Sequence, residues 1–146
     1  MRSLACDNSL LQIYLKLENL QPIGSFKLRG AYNAMMSCDE NLTEHGVLTA
    51  SAGNFAQGVA WSANMLGISS NIVVPENAPQ TKVDAIQRLG GNVIKVSYSD
   101  WWNVMVKQEY EFAAGYFIHP VCNKQVIAGN TPTQHSNTPH HCNTPL

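Results

Sequence analysis

The sequence has few charged residues and no cluster of either sign. Only 13% of its 146 residues are charged and the net charge is −1, so no general electrostatic attraction to nucleic acid or to an anionic membrane is expected. The four cysteines form no C-x-x-C pair, and their spacing matches neither a zinc ribbon nor a disulfide framework. No apolar run is long enough for a signal peptide or a membrane span. These absences favour a cytoplasmic enzyme or binding domain.

A strand–loop–helix pattern occurs three times in the middle of the chain. Short runs that favour β structure precede segments with helical composition, and glycine follows the first two helices. Strands are predicted at 47–50, 71–74 and 92–97, and helices at 55–66, 81–89 and 100–114, the last capped by Asp100. This alternation predicts an α/β fold in which a small parallel sheet is flanked by helices. The three strands should be neighbours in one unit that runs from about Met36 to His119.

Two further elements are predicted before this pattern, and a different kind of segment follows it. Residues 13–18 alternate apolar with polar side chains, which predicts a strand. Residues 26–36 are rich in Leu, Ala and Met and predict a helix, although Gly30 weakens it. From Asn130 the tripeptide Asn-Thr-Pro recurs and apolar side chains are scarce, so a disordered tail is expected over 131–146. In that tail His140, His141 and Cys142 are better explained by composition than by a metal site.

Lys27 occupies a position that can favour imine chemistry. It stands where a glycine-containing turn gives way to the helix predicted over 26–36. The positive end of a helix dipole disfavours an ammonium group and favours the neutral amine, which can attack a carbonyl carbon. Most lysines at such positions are simply solvated, so the position alone assigns Lys27 no role.

The segment TASAGNFAQG, residues 49–58, contains a loop of small residues between a predicted strand and a predicted helix. Backbone N–H groups at a helix N-terminus bind carboxylate or phosphate, and small side chains at 51–53 let a ligand approach the backbone. Asn54 adds both a donor and an acceptor. The alternative is a purely structural turn in which Asn54 only caps the helix.

Together, in this order and spacing, the two segments resemble the serine/threonine dehydratases of the type II pyridoxal-phosphate fold. The resemblance rests on IYLKLENLQPIGSFKLRGAYNAM and SAGNFAQGVAWSANMLG, and it continues through IVVPENAPQTKVDAIQRLGGNVIKV to FIHPVCNKQVIAGN. It covers roughly residues 13–130. It implies the small domain of a tryptophan-synthase-β-like fold, pyridoxal 5′-phosphate as cofactor, an amino acid as substrate, and a homo-oligomer for the full-length family. The implied reaction converts L-threonine or L-serine to a 2-oxo acid and ammonia.

The resemblance also implies roles for individual residues. Lys27 matches the lysine that binds the cofactor covalently and moves the α-proton, Phe26 matches a residue that packs near the cofactor, and Asn54 matches the asparagine that bonds its phenolic oxygen. The loop that clamps the substrate carboxylate matches Ser51, Ala52, Gly53, Asn54, Phe55 and Gln57. Serine racemases, which look similar, carry a second serine where this chain has Ala52, so racemisation is disfavoured. Phe55 replaces the more usual histidine and is expected to affect how the substrate side chain packs.

The resemblance further implies a division of the chain. Residues 1–36 would be a remnant of a larger cofactor domain, 37–120 a small α/β domain, 121–130 a return segment and 131–146 the tail. Because family members continue with a glycine-rich phosphate loop, we expect an N-terminal fragment with negligible turnover. Residues 13–17 and the helix over 26–36 should then have uncovered apolar faces. Two alternatives stay open: a non-catalytic module that pairs with full-length subunits, and a nucleotide-binding domain, which the lack of G-x-G-x-x-G disfavours.

Overall fold

The computed structural model describes residues 6–8, 11–13 and 15–131. Within them the strands are β1 (Cys6–Asn8), β2 (Leu11–Ile13), β3 (Val47–Ala50), β4 (Ser70–Pro75), β5 (Asn92–Val96) and β6 (Tyr116–Phe117). The α-helices are α1 (Lys27–Met36), α2 (Glu40–Thr43), α3 (Asn54–Leu66), α4 (Gln80–Arg88), α5 (Tyr98–Lys107) and α6 (Lys124–Asn130). A 3-10 helix covers Glu18–Leu20. No helix of the described residues is long and apolar enough to cross a membrane.

The main sheet has four strands in the order β5-β4-β3-β6, and every neighbouring pair is parallel. Val47 pairs with Ser70, and Ile72 pairs with Val93. The predicted α/β fold is therefore confirmed, as is the adjacency of its three strands. Strands β1 and β2 form a separate antiparallel pair.

The two faces of the sheet are covered unequally. Because successive strand residues point to opposite faces, β3 sends Val47 into one cluster and Leu48 into the other. The larger cluster joins the sheet to α1, α3, α4 and α6, and it includes Ala31, Phe55 and Val126. The smaller cluster joins the sheet to α5. Helix α1 is thus part of the larger core rather than an appendage to the sheet.

The expected exposure of apolar side chains on α1 is wrong for one side of the helix. Leu28, Ala31, Ala34 and Met35 are all buried, at 6% exposure or less, because α1 packs there against both α3 and α6. On the other side large apolar side chains are exposed, namely Phe26, Tyr32 and Met36. The boundaries proposed at residues 36 and 120 stay predictions.

Helix α5 begins and ends differently from the prediction. Ser97 caps it, since the Ser97 side chain accepts from the Asp100 N–H, and Asp100 lies inside the first turn. The helix ends at Lys107 instead of 114, because Gln108 adopts a left-handed backbone with φ 59°. The sequence predicted the helix itself but placed its cap at Asp100 instead of Ser97.

The strand predicted at 13–18 is wrong over most of its length. Strand β2 ends at Ile13, residues 15–17 have no regular structure, and Glu18 begins the 3-10 helix; Tyr14 lies outside the described residues. The period-2 pattern found no partner, because no neighbouring strand pairs with 15–18. The tail from 132 onwards, with His140, His141 and Cys142, also lies outside the described residues.

Candidate active site

Lys27 is the first residue of α1, one residue later than the predicted start. Its N–H donates to the Ser25 hydroxyl at 3.3 Å, and its Nζ lies 5.3 Å from the centre of the Phe26 ring. Lys27 is half-buried and Phe26 is exposed. Within the described residues Lys27 has no acidic partner in an ion pair. The amine is therefore available to a ligand, with an aromatic ring beside it.

The loop after β3 leaves donors and space at the start of α3. The Ser51 N–H extends the sheet by donating to the Val73 carbonyl at 3.1 Å, and the Gly53 N–H donates to the Ser51 hydroxyl at 3.4 Å. No side chain caps α3, and a Cβ placed on Gly53 would meet nothing within 4 Å. The Gln57 N–H bonds to the Gly53 carbonyl, so the amides of residues 54–56 have no partner inside the helix. This helix start is suited to an anion.

Gly58 brings the starts of α1 and α3 together. A Cβ placed on Gly58 would lie 3.3 Å from the Leu28 Cα and 3.4 Å from the Lys27 carbonyl oxygen. Gly58 is four residues, or about one turn, after Asn54. Helices α1 and α3 therefore begin close to one another. That the Lys27 amine and Asn54 face each other across an open cleft stays a prediction.

The other residues assigned to the loop differ in exposure. Asn54 is exposed, whereas Ala52 and Gln57 are half-buried. The Phe55 ring belongs to the larger core and is 4% exposed, so any part that Phe55 plays in binding a carboxylate would come from its backbone N–H. Its effect on the substrate side chain stays a prediction.

His119 lies just after β6, at the edge of the sheet where β3 also ends. Its Nδ1 accepts from the N–H groups of Val121 and Cys122, at 3.1 and 3.0 Å. Burial lowers the pKa of His119 from its ordinary value of 6.5, because a charged imidazolium loses hydration there. The neutral ring therefore shapes the turn that leads to α6.

Sequence reasoning missed the contact between α1 and α6. Asn130, the last residue of α6, accepts from the Gly30 N–H at 3.0 Å, and Arg29 donates to the Asn130 carbonyl at 2.6 Å. The available signal was Gly30 together with Gly129, two glycines placed in helices. Gly30 counted only as a weak point in a helix, and residues 121–130 only as a return segment.

Metal binding has no support among the described residues. No group of three or more His, Cys, Asp or Glu side chains lies close enough together within them to hold an ion. The chemistry of the candidate site is that of an amine and backbone amides.

Comparison with known proteins identifies the class to which this fold and site belong. Residues 3–135 match the family described as pyridoxal-phosphate dependent enzyme. The chain belongs to this family, and the lysine, the loop and the parallel sheet lie within the matched residues.

Within the family the chain is similar to threonine dehydratases and to racemases. It is 48% identical to the biosynthetic L-threonine dehydratase of Burkholderia multivorans over 122 residues, which is 80% of this chain and 24% of that protein. The processed form of threonine deaminase isoform 2 from Solanum lycopersicum matches with a TM-score of 0.70 and 39% identity, over 80% of this chain and 34% of that one. Serine racemase from Dictyostelium discoideum matches with a TM-score of 0.72 and 41% identity, over 81% and 39%. The chain spans about a quarter to two fifths of the length of these relatives.

Proposed function

We propose that the chain supplies the lysine and the carboxylate-binding helix of an ammonia-lyase that acts on L-threonine or L-serine. The contact at Gly58 carries this proposal, because it brings the start of the Lys27 helix beside the uncapped start of α3. An amino-acid substrate has a reacting amine and a carboxylate on the same carbon. A site for such a substrate therefore needs a reactive group and an anion-binding group a few ångströms apart.

The residues present fit the aldehyde and ring-oxygen end of pyridoxal phosphate. When bound, this cofactor supplies an aldehyde for attachment to an amine and a ring that takes up negative charge from the substrate. Lys27 offers an amine without an acidic partner among the described residues, and Phe26 offers an apolar surface beside it. The Asn54 side chain is exposed and makes no hydrogen bond with the described residues. Its amide can therefore bond a ring oxygen.

The chain's own residues divide the work between orientation and proton transfer. The amides of residues 54–56 would hold the substrate carboxylate, which fixes the α-carbon relative to Lys27. The Lys27 Nζ would then accept the α-proton. Small residues at 52 and 53 leave the space that the carboxylate needs.

Ala52 favours elimination over racemisation. Racemisation needs a second proton donor on the opposite face of the α-carbon, and the methyl group of Ala52 cannot donate a proton. Similarity alone does not separate the two activities, since the identity to a serine racemase structure, 41%, is close to the identity to a threonine deaminase structure, 39%. The chemistry of this one side chain is what favours the lyase.

Covalent capture of the cofactor tests the proposal. The 146-residue chain is incubated with pyridoxal phosphate, reduced with borohydride and digested, and the labelled peptide is identified by mass. We expect the label on Lys27 and its loss in Lys27→Ala, whereas Lys82→Ala, which changes an exposed lysine of α4, should leave it unchanged. Labelling spread over several surface lysines would contradict the proposal.

The products then separate the candidate functions. Formation of 2-oxobutanoate from L-threonine, or of pyruvate from L-serine, would identify the ammonia-lyase. Formation of D-serine would instead identify a racemase. Specific capture at Lys27 without any product, which is the outcome that the resemblance implies, would be compatible with the lyase and with the second candidate, a binding module that pairs with other subunits.

A further inference from the structure

The first turn of α1 is joined to α6 at Gly30. The Arg29 N–H donates to the Phe26 carbonyl at 3.0 Å, within the start of the helix. The Gly30 N–H donates to the Asn130 side chain at 3.0 Å. Gly30 lies three residues after Lys27, in the same turn of α1. The Asn130 contact therefore holds the turn that carries Lys27.

Asn130 is held in place from the opposite side. Helix α6 runs antiparallel to α1, since Asn130 contacts Gly30 whereas Gln125 accepts from Asn33 at 2.8 Å, one turn further along α1. At the end of α6 the Arg29 guanidinium donates to the Asn130 carbonyl at 2.6 Å and to the Thr131 carbonyl at 3.1 Å. The same guanidinium bonds to Glu18 at 2.6 Å. The bonds from Arg29 to the backbone of Asn130 and Thr131 thus hold the Asn130 side chain in place.

Two glycines permit this close approach. A Cβ on Gly30 would lie 2.6–2.7 Å from the Asn130 amide atoms. A Cβ on Gly129 would lie 2.7 Å from the Arg29 carbonyl oxygen. A Cβ atom essentially never lies so close to another heavy atom. The bond between Asn130 and α1 therefore depends on both glycines.

We propose that Asn130 is a positioning residue for Lys27: its Oδ1 accepts from the Gly30 N–H, holds the first turn of α1 against the end of α6, and so fixes the direction of the Lys27 side chain. This inference rests on the proposed function of Lys27 as the residue that captures the cofactor. Without the Asn130 acceptor, the first turn of α1 loses this bond to α6 and shifts relative to it.

The test compares Asn130→Ala with Asn33→Ala in the full 146-residue chain. Both variants remove one side-chain bond between α1 and α6, but only the first alters the turn that carries Lys27. We expect the rate of pyridoxal-phosphate capture at Lys27 to fall about tenfold or more in Asn130→Ala and to stay within about twofold in Asn33→Ala. Asn130→Asp, which keeps the acceptor, should recover most of the lost rate. Equal losses in both alanine variants, or no loss in Asn130→Ala, would overturn the proposal.

Nuclear magnetic resonance supplies a second readout that needs no cofactor. The native chain should show a scalar coupling across the hydrogen bond from the Gly30 nitrogen to the Asn130 Cγ. In Asn130→Ala the proton contacts between residues 27–30 and the end of α6 should weaken, while the pattern within α1 stays that of an α-helix. If the native chain captures no cofactor, the proposed function fails while this readout still decides the role of Asn130. An absent coupling, or unchanged contacts between this turn and α6 in the variant, would refute that role.

Discussion

Gly129→Ala is expected to destabilise the protein although alanine favours helix formation. The added methyl group would lie 2.7 Å from the Arg29 carbonyl oxygen and 2.9 Å from the Gly30 Cα. Both are backbone atoms of α1, so relief requires the two helices to separate. Overpacking of this kind costs about 3 kcal/mol at the upper end of its usual range, and the gain in helix propensity is at most about 1 kcal/mol. The free energy of unfolding should therefore fall by about 2 kcal/mol.

Urea unfolding followed by circular dichroism measures this change, with the slope expected to stay constant. Ala128→Gly is the matched control, because Ala128 is exposed in the same helix turn. It should cost at most about 1 kcal/mol, from propensity alone. If Gly129→Ala is as stable as the native chain or more stable, the backbones of α1 and α6 are not in contact, and the account of the Lys27 turn loses its support.

Two further changes test other parts of the structure. The Asn71 side chain accepts from Asn92 and donates to the Ala114 carbonyl, at 2.8 and 2.9 Å. Asn71→Ala removes both bonds and should lower the free energy of unfolding in urea by about 1 kcal/mol. The control Asn103→Ala, which changes an exposed residue, should leave it almost unchanged. His119 makes stability depend on pH: because burial lowers its folded pKa below 6.5, the unfolded chain binds more protons, so its contribution is complete above pH 6.5 and is lost as the pH falls towards the lowered value. Unfolding free energies measured from about pH 7 to pH 5 should show this loss, and His119→Asn should reduce it; an unchanged pH dependence in that variant would contradict the assignment.

Much of the sheet could be predicted because its strands are continuous and apolar. Val47, Ile72 and Val93 lie in short β-favouring runs, and the left-handed glycines Gly67 and Gly90 mark the ends of α3 and α4. In a parallel sheet with both faces covered, the strands are predicted mainly from their apolar composition and from the glycines that end the helices between them. The adjacency of β3, β4 and β5 followed from their succession along the chain.

The parts that escaped prediction depend on distant contacts. Strand β6 has two residues and forms only because Tyr116 and Phe117 reach β3. Helix α6 has seven residues and its single buried residue is Val126, so it carries too little periodicity to be recognised. The strand predicted at 13–18 was wrong because an alternating pattern forms no sheet without a neighbouring strand.

The candidate site could be predicted as residue types but not as geometry. Lys27 and the loop over 51–54 were found from their local setting and from the family resemblance. The close approach of α1 and α3 depends on Gly58, and the anchoring of the Lys27 turn depends on Asn130, more than a hundred residues away. Neither contact leaves a local sequence pattern, because a glycine that permits close approach looks like any other glycine in a helix.

The most direct test of the central claim is whether a cofactor captured at Lys27 lies at the start of α3. The backbone amide signals of an isotope-labelled chain are recorded before capture of the cofactor and again after capture and borohydride reduction. The account predicts large shifts for residues 54–56 and small shifts for Asn71 and Asn92, which lie at the opposite edge of the sheet. Shifts at 54–56 no larger than those at Asn71 and Asn92 would contradict a shared site for Lys27 and α3.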